Sequence, residues 1–157
     1  MLFETERCLV RRFEEKDIDD FMAYRNDLCW MKHQGFKGLT RPEYQNELLG
    51  GFSPEKGAQL AVVRKSDGCL IGDLYAKREA GLFWIGYTIG PSNARQGYAS
   101  EAVGGLIRWI RAQGPFEIRA SVEPQNLPSV CLLEKLGFFC AGTDENGELS
   151  YALNPNS

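Results

Sequence analysis

The sequence predicts a single α/β domain over residues 1–157, with a mixed, mostly antiparallel central sheet of about seven strands and helices on both faces. Three observations indicate this fold. A chain of 157 residues has the common size of one domain with one core. Three consecutive strand patterns in the middle of the chain are typical of an antiparallel meander. The second half then alternates helical and strand periods, as strand–helix crossovers do.

The first elements are a strand, two helices and an irregular segment. Residues 6–13 predict a strand, and a helical spacing of apolar residues starts at Asp17. Residues 28–39 mix aromatic, glycine and histidine residues without a period, so we expect a loop there and treat it as a candidate acceptor loop. A Thr-x-x-Glu capping box predicts a further helix over residues 40–49.

The predicted meander consists of residues 58–65, 69–77 and 82–90, with Ser66-Asp67-Gly68 as the first turn. The later elements are delimited by Pro and Gly in positions typical of helix starts, helix ends and turns. In chain order they are a helix from Gly97 to about Gly114, a strand over 116–122, a helix between Pro128 and Gly137, and a hairpin of strands 138–142 and 148–153.

Composition excludes several classes of protein. Apolar residues make up 43% and charged residues 25% of the chain, which excludes a disordered chain. The net charge of −3 argues against nucleic-acid binding, which needs a basic face. Since there is no signal-peptide pattern and no apolar run of about 18 residues, we expect a cytoplasmic protein without membrane contact. The five cysteines form no metal or redox motif, so we expect no metal site and reduced, mostly buried thiols.

A phosphate-binding loop is the first candidate site. In GPSNARQGYASEAV, residues 90–103, Gly97 lies where a strand passes into a helix. The first four amides of a helix lack intrahelical partners and carry its partial positive charge, so they can bind a diphosphate. In the alternative interpretation Gly97 only permits a turn and Ser100 caps the helix. The candidate cofactor-binding residues of the loop are Arg95, Gln96, Gly97, Tyr98, Ala99 and Ser100.

Two polar residues at the start of the following helix form the second candidate site. Asn126 and Ser129 are three residues apart, so both can reach one ligand. In the alternative interpretation both serve only to cap that helix. The glycine patterns of dinucleotide-binding and nucleotide-hydrolysing folds are absent, so we expect a different phosphate-bearing ligand.

Four segments of the chain resemble one known family. They are TERCLVRRFEEKDIDDF (5–21), WIGYTIGP (84–91), RQGYASEAV (95–103) and NLPSVCLLEKLGFFCAG (126–142). Their type and order are similar to those of the GCN5-related N-acetyltransferases (GNAT superfamily), in the branch that acetylates N-terminal amines of ribosomal proteins. The resemblance spans nearly the whole chain. It implies the GNAT fold and an N-acetyltransferase that uses acetyl-CoA as co-substrate.

The resemblance also implies how the cofactor lies. The third strand of the meander and the next strand would splay apart, and the pantetheine arm would pair with the backbone of Gly86 to Ile89. This makes Tyr87 and Ile89 candidate cofactor-binding residues. Ser129 and Asn126 are the candidate catalytic residues, with the Ser129 hydroxyl bonding to the thioester sulfur or to a water. A dimer is common among relatives, so monomer and homodimer both stay open.

The general base is where the sequence departs from the family. Family members often carry Glu just before the Gly-Tyr pair, where this chain has Phe83-Trp84-Ile85, and many use a helix Tyr where this chain has Leu133. The remaining acids near the expected cleft are Asp73, Glu79 and Glu101. Alternatively, ordered water removes the proton from an acceptor α-amine, whose pKa is about 8.

The candidate acceptor-binding residues are Trp30, His33 and Trp84. His33 is the only histidine and is a candidate base, although a single loop histidine is more often incidental. Trp84 fits a wall of the acceptor site and fits sheet packing equally well. The acceptor itself stays open between a protein N-terminus, a polyamine and an antibiotic.

The main functional prediction is acetyl transfer to a primary amine in a ternary complex. A second hypothesis keeps the cofactor site but treats the missing Glu and Tyr as lost chemistry, which leaves an acyl-CoA sensor or regulatory module. A third is a structural domain in which Gly97, Asn126 and Ser129 serve only turns and caps. Binding and turnover of acetyl-CoA distinguish the three.

Overall fold

The computed structural model describes residues 1–50 and 53–155. This part of the chain forms eight β-strands and four α-helices. In chain order they are β1 (Phe3–Glu4), β2 (Cys8–Arg12), α1 (Ile18–Arg25), α2 (Arg41–Leu48), β3 (Ala58–Arg64), β4 (Leu70–Glu79), β5 (Leu82–Ile89), α3 (Tyr98–Arg111), β6 (Glu117–Val122), α4 (Leu127–Lys135), β7 (Phe139–Thr143) and β8 (Leu149–Leu153). Short 3-10 turns precede α1 and follow β5.

All eight strands form one sheet in the order β1-β2-β3-β4-β5-β6-β8-β7. Every neighbouring pair is antiparallel except β5 and β6, which run parallel because α3 crosses between them. The predicted mixed α/β fold is therefore confirmed. The additional strand is β1, in which Phe3 pairs with Val10 and Glu4 with Leu9. A strand of two residues is too short to show a hydrophobic period, so no local pattern predicted it.

Helices cover both faces of the sheet. Successive residues of a strand face opposite sides. Leu60 of β3 belongs to a core cluster that includes Leu106 of α3 and Leu133 of α4. Its neighbour Ala61 belongs to a second cluster that includes Phe21 of α1 and residues of α2. One face therefore carries α3 and α4, and the other carries α1 and α2.

The capping box and the glycine-containing turn predicted from the sequence are both present in the structure. The Thr40 side chain accepts a bond from the Glu43 amide, and the Glu43 side chain accepts one in return, which is the predicted capping box. Gly68 in the first turn of the meander has φ +72°, a conformation that glycine adopts without strain. No helix in the described part of the chain has the length and apolar content needed to cross a membrane.

The expectation of mostly buried thiols is wrong. All five cysteines are free, but only Cys8 is buried. The other four are exposed. Cys29 and Cys69 lie in loops, Cys131 lies on α4, and Cys140 lies on the edge strand β7.

Candidate functional site

The loop between β5 and α3 presents backbone amides without partners. Gly97 is the residue before the first helical turn, with φ +83° in the left-handed region. The amides of Tyr98, Ala99 and Ser100 donate no hydrogen bond to any described residue, and no side chain caps the helix. The alternative interpretation, in which Ser100 caps this helix, is therefore wrong. Free amides at the positive end of a 14-residue helix form an anion-binding surface.

A second left-handed residue lies two positions before Gly97. Arg95 has φ +63° and an exposed side chain. Left-handed φ is uncommon outside glycine, so Arg95 and Gly97 together give this loop two left-handed residues within three positions. The sequence motif predicted amides in this loop but did not predict the conformation of Arg95.

Residues of the N-terminal segment fix the position of this loop through hydrogen bonds. The Arg7 side chain donates to the Gln96 carbonyl at 3.0 Å and to Glu101 Oε1 at 2.7 Å, and it lies 4.2 Å from the centre of the Tyr98 ring. The Arg7 amide and the Thr5 hydroxyl both donate to Glu101 Oε2. Glu101 is therefore a structural anchor for the loop. Because the contact joins residues more than 90 positions apart, no local motif could have shown it.

The anchoring of Glu101 predicts a specific dependence of stability on pH. Desolvation alone would raise the pKa of Glu101, but the bonds from Thr5 and Arg7 outweigh it and hold the pKa below its ordinary value of 4.5. Such a group stabilises the fold above its ordinary pKa, and this contribution is lost as the pH falls. Glu101→Gln should therefore lower the free energy of unfolding in urea at pH 7 more than at pH 4. An equal loss at both pH values would contradict this account.

A gap opens between β5 and β6. The two strands pair only from Leu82 with Glu117 to Trp84 with Arg119, although β5 continues to Ile89 and β6 to Val122. Beyond Trp84 the side of β5 that faces β6 is therefore unpaired. The sequence resemblance predicted this splay, and the register confirms it.

A small cavity of about 50 Å³ lies in this gap. Its walls include Gly86 and Tyr87 of β5, Ser121 of β6, and Asn126 and Ser129 at the start of α4. The structure therefore brings together the predicted residues Tyr87, Asn126 and Ser129. Since parallel strands end at the same sheet edge, this gap opens on the side where β5 leads into α3.

Asn126 and Ser129 differ in the contacts that their side chains make. The Asn126 side chain accepts a bond from the Ser129 amide at 3.5 Å, so the interpretation of Asn126 as the N-cap of α4 is confirmed. Ser129 borders the cavity. Burial raises the pKa of Tyr87, and a side-chain hydrogen bond with Ser129 partly offsets that rise, so the two side chains lie together at the cavity wall.

A tyrosine hydroxyl also reaches this cavity. Tyr87 extends from β5 to α4 and donates to the Ser129 carbonyl at 3.4 Å. Burial raises the pKa of the Tyr87 phenol, so it stays protonated and remains a hydrogen-bond donor. The helix position where many similar proteins have tyrosine is Leu133, which is buried and borders the same cavity. The tyrosine hydroxyl at this cavity therefore comes from β5, and α4 contributes the apolar Leu133 instead.

A larger groove of about 680 Å³ lies beside the small cavity. The loop 28–39 contributes Lys32, His33 and Lys37 to it, the end of β6 contributes Glu123, and the β7–β8 turn contributes Glu148. His33 borders both spaces, and its Nδ1 lies 2.5 Å from Glu123 Oε2. Sequence reasoning did not select Glu123, although a carboxylate directly after a strand with a free edge is a usable signal.

Trp30 and Trp84 border neither of these two spaces. The Trp30 indole N–H donates to the Ile89 carbonyl at 3.0 Å, so it occupies one acceptor position on the strand end that was predicted to bind pantetheine. Trp84 lies opposite Lys77 in the sheet, at the last parallel pair before the gap. Their contact with an acceptor stays a prediction.

The other predicted acids are engaged elsewhere. Asp73 is 1% exposed, forms an ion pair with Arg25 at 2.6 Å and accepts a bond from the Tyr24 hydroxyl at 2.6 Å. Burial raises the pKa of Tyr24 well above its ordinary value, and the Asp73 carboxylate adds to the rise. Glu79 forms an exposed pair with Lys77 near the β4–β5 turn. Neither carboxylate borders the gap or the groove.

One family profile and several curated relatives match most of this chain. The profile of the acetyltransferase (GNAT) domain matches residues 7–139. The uncharacterized N-acetyltransferase YnaD of Bacillus subtilis (strain 168) is 27% identical over 140 residues, which cover 87% of this chain and 82% of YnaD.

Solved structures share the fold. An acetyltransferase of the GNAT family from Bacillus anthracis superposes with a TM-score of 0.87 at 23% identity, over 98% of each chain. RimL, a ribosomal L7/L12 alpha-N-protein acetyltransferase in complex with coenzyme A, superposes with a TM-score of 0.83 at 14% identity, over 98% of this chain and 97% of RimL. At these identities the likeness concerns the fold.

Proposed function

The chain belongs to the GNAT acetyltransferase domain family, and on this premise we propose that it transfers the acetyl group of acetyl-CoA directly to a primary amine in a ternary complex. One observation carries the proposal. The gap beyond Trp84 opens at the sheet edge where the free amides of Tyr98 to Ser100 begin α3. A diphosphate bound to those amides and a pantetheine arm bound in the gap would be two parts of one extended ligand.

The residues present fit acetyl-CoA. The amides from Gln96 to Ser100 have no partner among the described residues, so each can donate to a phosphate oxygen. The exposed Arg95 side chain adds positive charge beside them. Past Trp84, the free side of β5 offers backbone groups to the pantetheine amides, as an exposed strand edge does to a peptide.

The small cavity would then hold the thioester. An unpaired β5 amide can stabilise the oxygen that becomes negative during attack. The hydroxyls of Ser129 and Tyr87 border the same space and can donate to the sulfur as it leaves. These donors come from two elements that pack against each other, so their positions do not depend on a mobile loop.

The acceptor amine would enter through the larger groove. This groove meets the small cavity at His33, so an amine there can approach a thioester to the reactive distance of about 3–3.5 Å. Its volume of about 680 Å³ can hold an acceptor larger than a small amine, and we favour a protein N-terminus over a polyamine or an antibiotic. RimL, which acts on a protein N-terminus, has the same fold.

The experiment combines binding with turnover. At about 100 times its Kd, acetyl-CoA should stabilise the protein by roughly 2.7 kcal/mol, which raises Tm by about 5–10 °C for a domain of this size. Free CoA thiol should then appear when peptides with free N-termini are added, with polyamines and aminoglycosides as the other acceptors. Stabilisation without thiol release from any amine would instead support an acyl-CoA sensor. No change in Tm would contradict acetyl-CoA binding altogether.

A further inference from the structure

The structure contains a histidine–carboxylate pair where two elements distant in sequence meet. His33 lies in the loop 28–39, and Glu123 directly follows β6. Nδ1 of His33 is 2.5 Å from Oε2 of Glu123, with side-chain exposures of 22% and 40%. Both residues are partly protected from water and still accessible to a ligand in the groove.

His33 lies where the larger groove and the small cavity meet. It borders the groove of about 680 Å³ and also the cavity of about 50 Å³ that contains Ser129. Glu123 borders the groove only. A base at this junction faces the acceptor on one side and the thioester on the other.

The contact with Glu123 defines which ring nitrogen is free. An ionised carboxylate can only accept hydrogen bonds, so Nδ1 carries the proton that it shares with Glu123. The lone pair of the neutral ring is then on Nε2. The carboxylate also stabilises the imidazolium that forms when Nε2 takes a proton, as in catalytic triads.

We propose that His33 is the general base of the acetyl transfer and that Glu123 is its positioning residue, an inference that rests on the proposed function. The pair supplies the carboxylate and the proton acceptor that β5 lacks at Phe83-Trp84-Ile85. Asp73, Glu79 and Glu101 cannot do so, because each is paired outside the gap.

The proton balance of the step is simple. The ammonium form of the acceptor gives one proton to Nε2 of His33. The neutral nitrogen then forms a bond to the thioester carbonyl carbon, and the carbon–sulfur bond breaks. The leaving thiolate takes the second proton from the nitrogen, and His33 releases its proton to water. The products are the amide, CoA thiol and one proton.

Other charges in the groove assist or compete with this pair. Lys37 is held by a bond from its Nζ to the Met31 carbonyl at 2.9 Å, and Lys32 is exposed on the same loop. Glu148 of the β7–β8 turn also lines the groove and adds negative charge that favours an ammonium group. The pH profile of any variant therefore has to be compared with wild type under the same salt.

The test uses His33→Gln, which keeps a polar contact to Glu123 but removes the base. At pH 7 we expect kcat/KM to fall about 100-fold, with Tm and the Tm shift by acetyl-CoA unchanged. The loss should shrink as the pH approaches the pKa of the amine, because water then deprotonates the acceptor. Glu79→Gln, an exposed carboxylate on β4, is the matched control and should behave as wild type.

Glu123 is tested by the proton position on the ring. In wild type, ¹⁵N NMR should show His33 protonated at Nδ1, and Glu123→Gln should mix the two tautomers and lower kcat/KM about 10-fold. Wild-type activity of His33→Gln, a loss that does not vary with pH, or a ring protonated at Nε2 would each overturn the proposal. Absence of turnover in wild type with every amine would instead overturn the proposed function, and the base role with it.

Discussion

Replacing Asp73 with alanine is expected to produce the largest loss of stability of any single change outside the apolar core. Asp73 and Arg25 are almost fully buried, with side-chain exposures of 1% and 5%, and lie 2.6 Å apart. The variant would leave the Arg25 guanidinium buried without its counter-charge, and Nε of Arg25 already lacks a partner among the described residues. Breaking such a pair costs about 3–5 kcal/mol, or roughly 6–20 °C in Tm.

Two controls separate the buried charge from a general effect of mutation. Glu79→Ala removes an exposed ion pair with Lys77 and should change the free energy of unfolding by no more than about 1 kcal/mol. Adding Arg25→Met to Asp73→Ala removes the unpaired charge and should recover a large part of the loss. Urea unfolding of the four proteins measures these differences. A loss below about 1 kcal/mol in Asp73→Ala would contradict the account.

The same pair also reaches the acceptor loop. Arg25 donates to the Phe36 carbonyl at 2.9 Å through its other terminal nitrogen, so the chain of contacts runs from β4 through α1 to the segment that contains His33. Asp73 is therefore not a base near the cleft, as one interpretation of the sequence held. It stabilises the loop from which a base can act.

Features defined by neighbouring residues could be predicted from the sequence. The helix over 98–111 and the strands of the meander follow from periodicity, and the free amides near Gly97 follow from a glycine at a strand-to-helix junction. The splay at Trp84 came from family resemblance alone, because a strand pattern does not show where its pairing stops.

Contacts between distant residues could not be predicted in the same way. Arg7 and Glu101 are 94 positions apart, and His33 and Glu123 are 90 apart. Each residue lies in a segment whose local pattern is ordinary, so its role depends on how the sheet brings two edges together. The sequence selected His33 without its partner, and only the fold supplies the carboxylate.

Gly97→Asp is expected to have the largest effect on acetyl-CoA binding. The left-handed conformation at φ +83° is one that Asp and Asn tolerate better than other non-glycine residues. A Cβ at this position would approach only the terminal nitrogen of Arg7, at 3.4 Å, so the variant should fold. A carboxylate about 5 Å from a phosphate charge costs up to roughly 3 kcal/mol at an effective dielectric constant of about 20, or about 100-fold in Kd.

Gly97→Asn is the matched control, because it has nearly the same shape and the same backbone tolerance without the charge. Arg7 is paired with Glu101 through Nε, but its Nη2 lies close to the new side chain and offsets part of the added charge, so roughly 3 kcal/mol is an upper value for the repulsion. Calorimetric titration with acetyl-CoA should therefore give a much weaker Kd for the Asp variant than for the Asn variant. The difference should narrow at high salt, since screening reduces repulsion between exposed charges. Equal affinities of the two variants would place the diphosphate away from this helix end, and the free amides of α3 would then need another explanation.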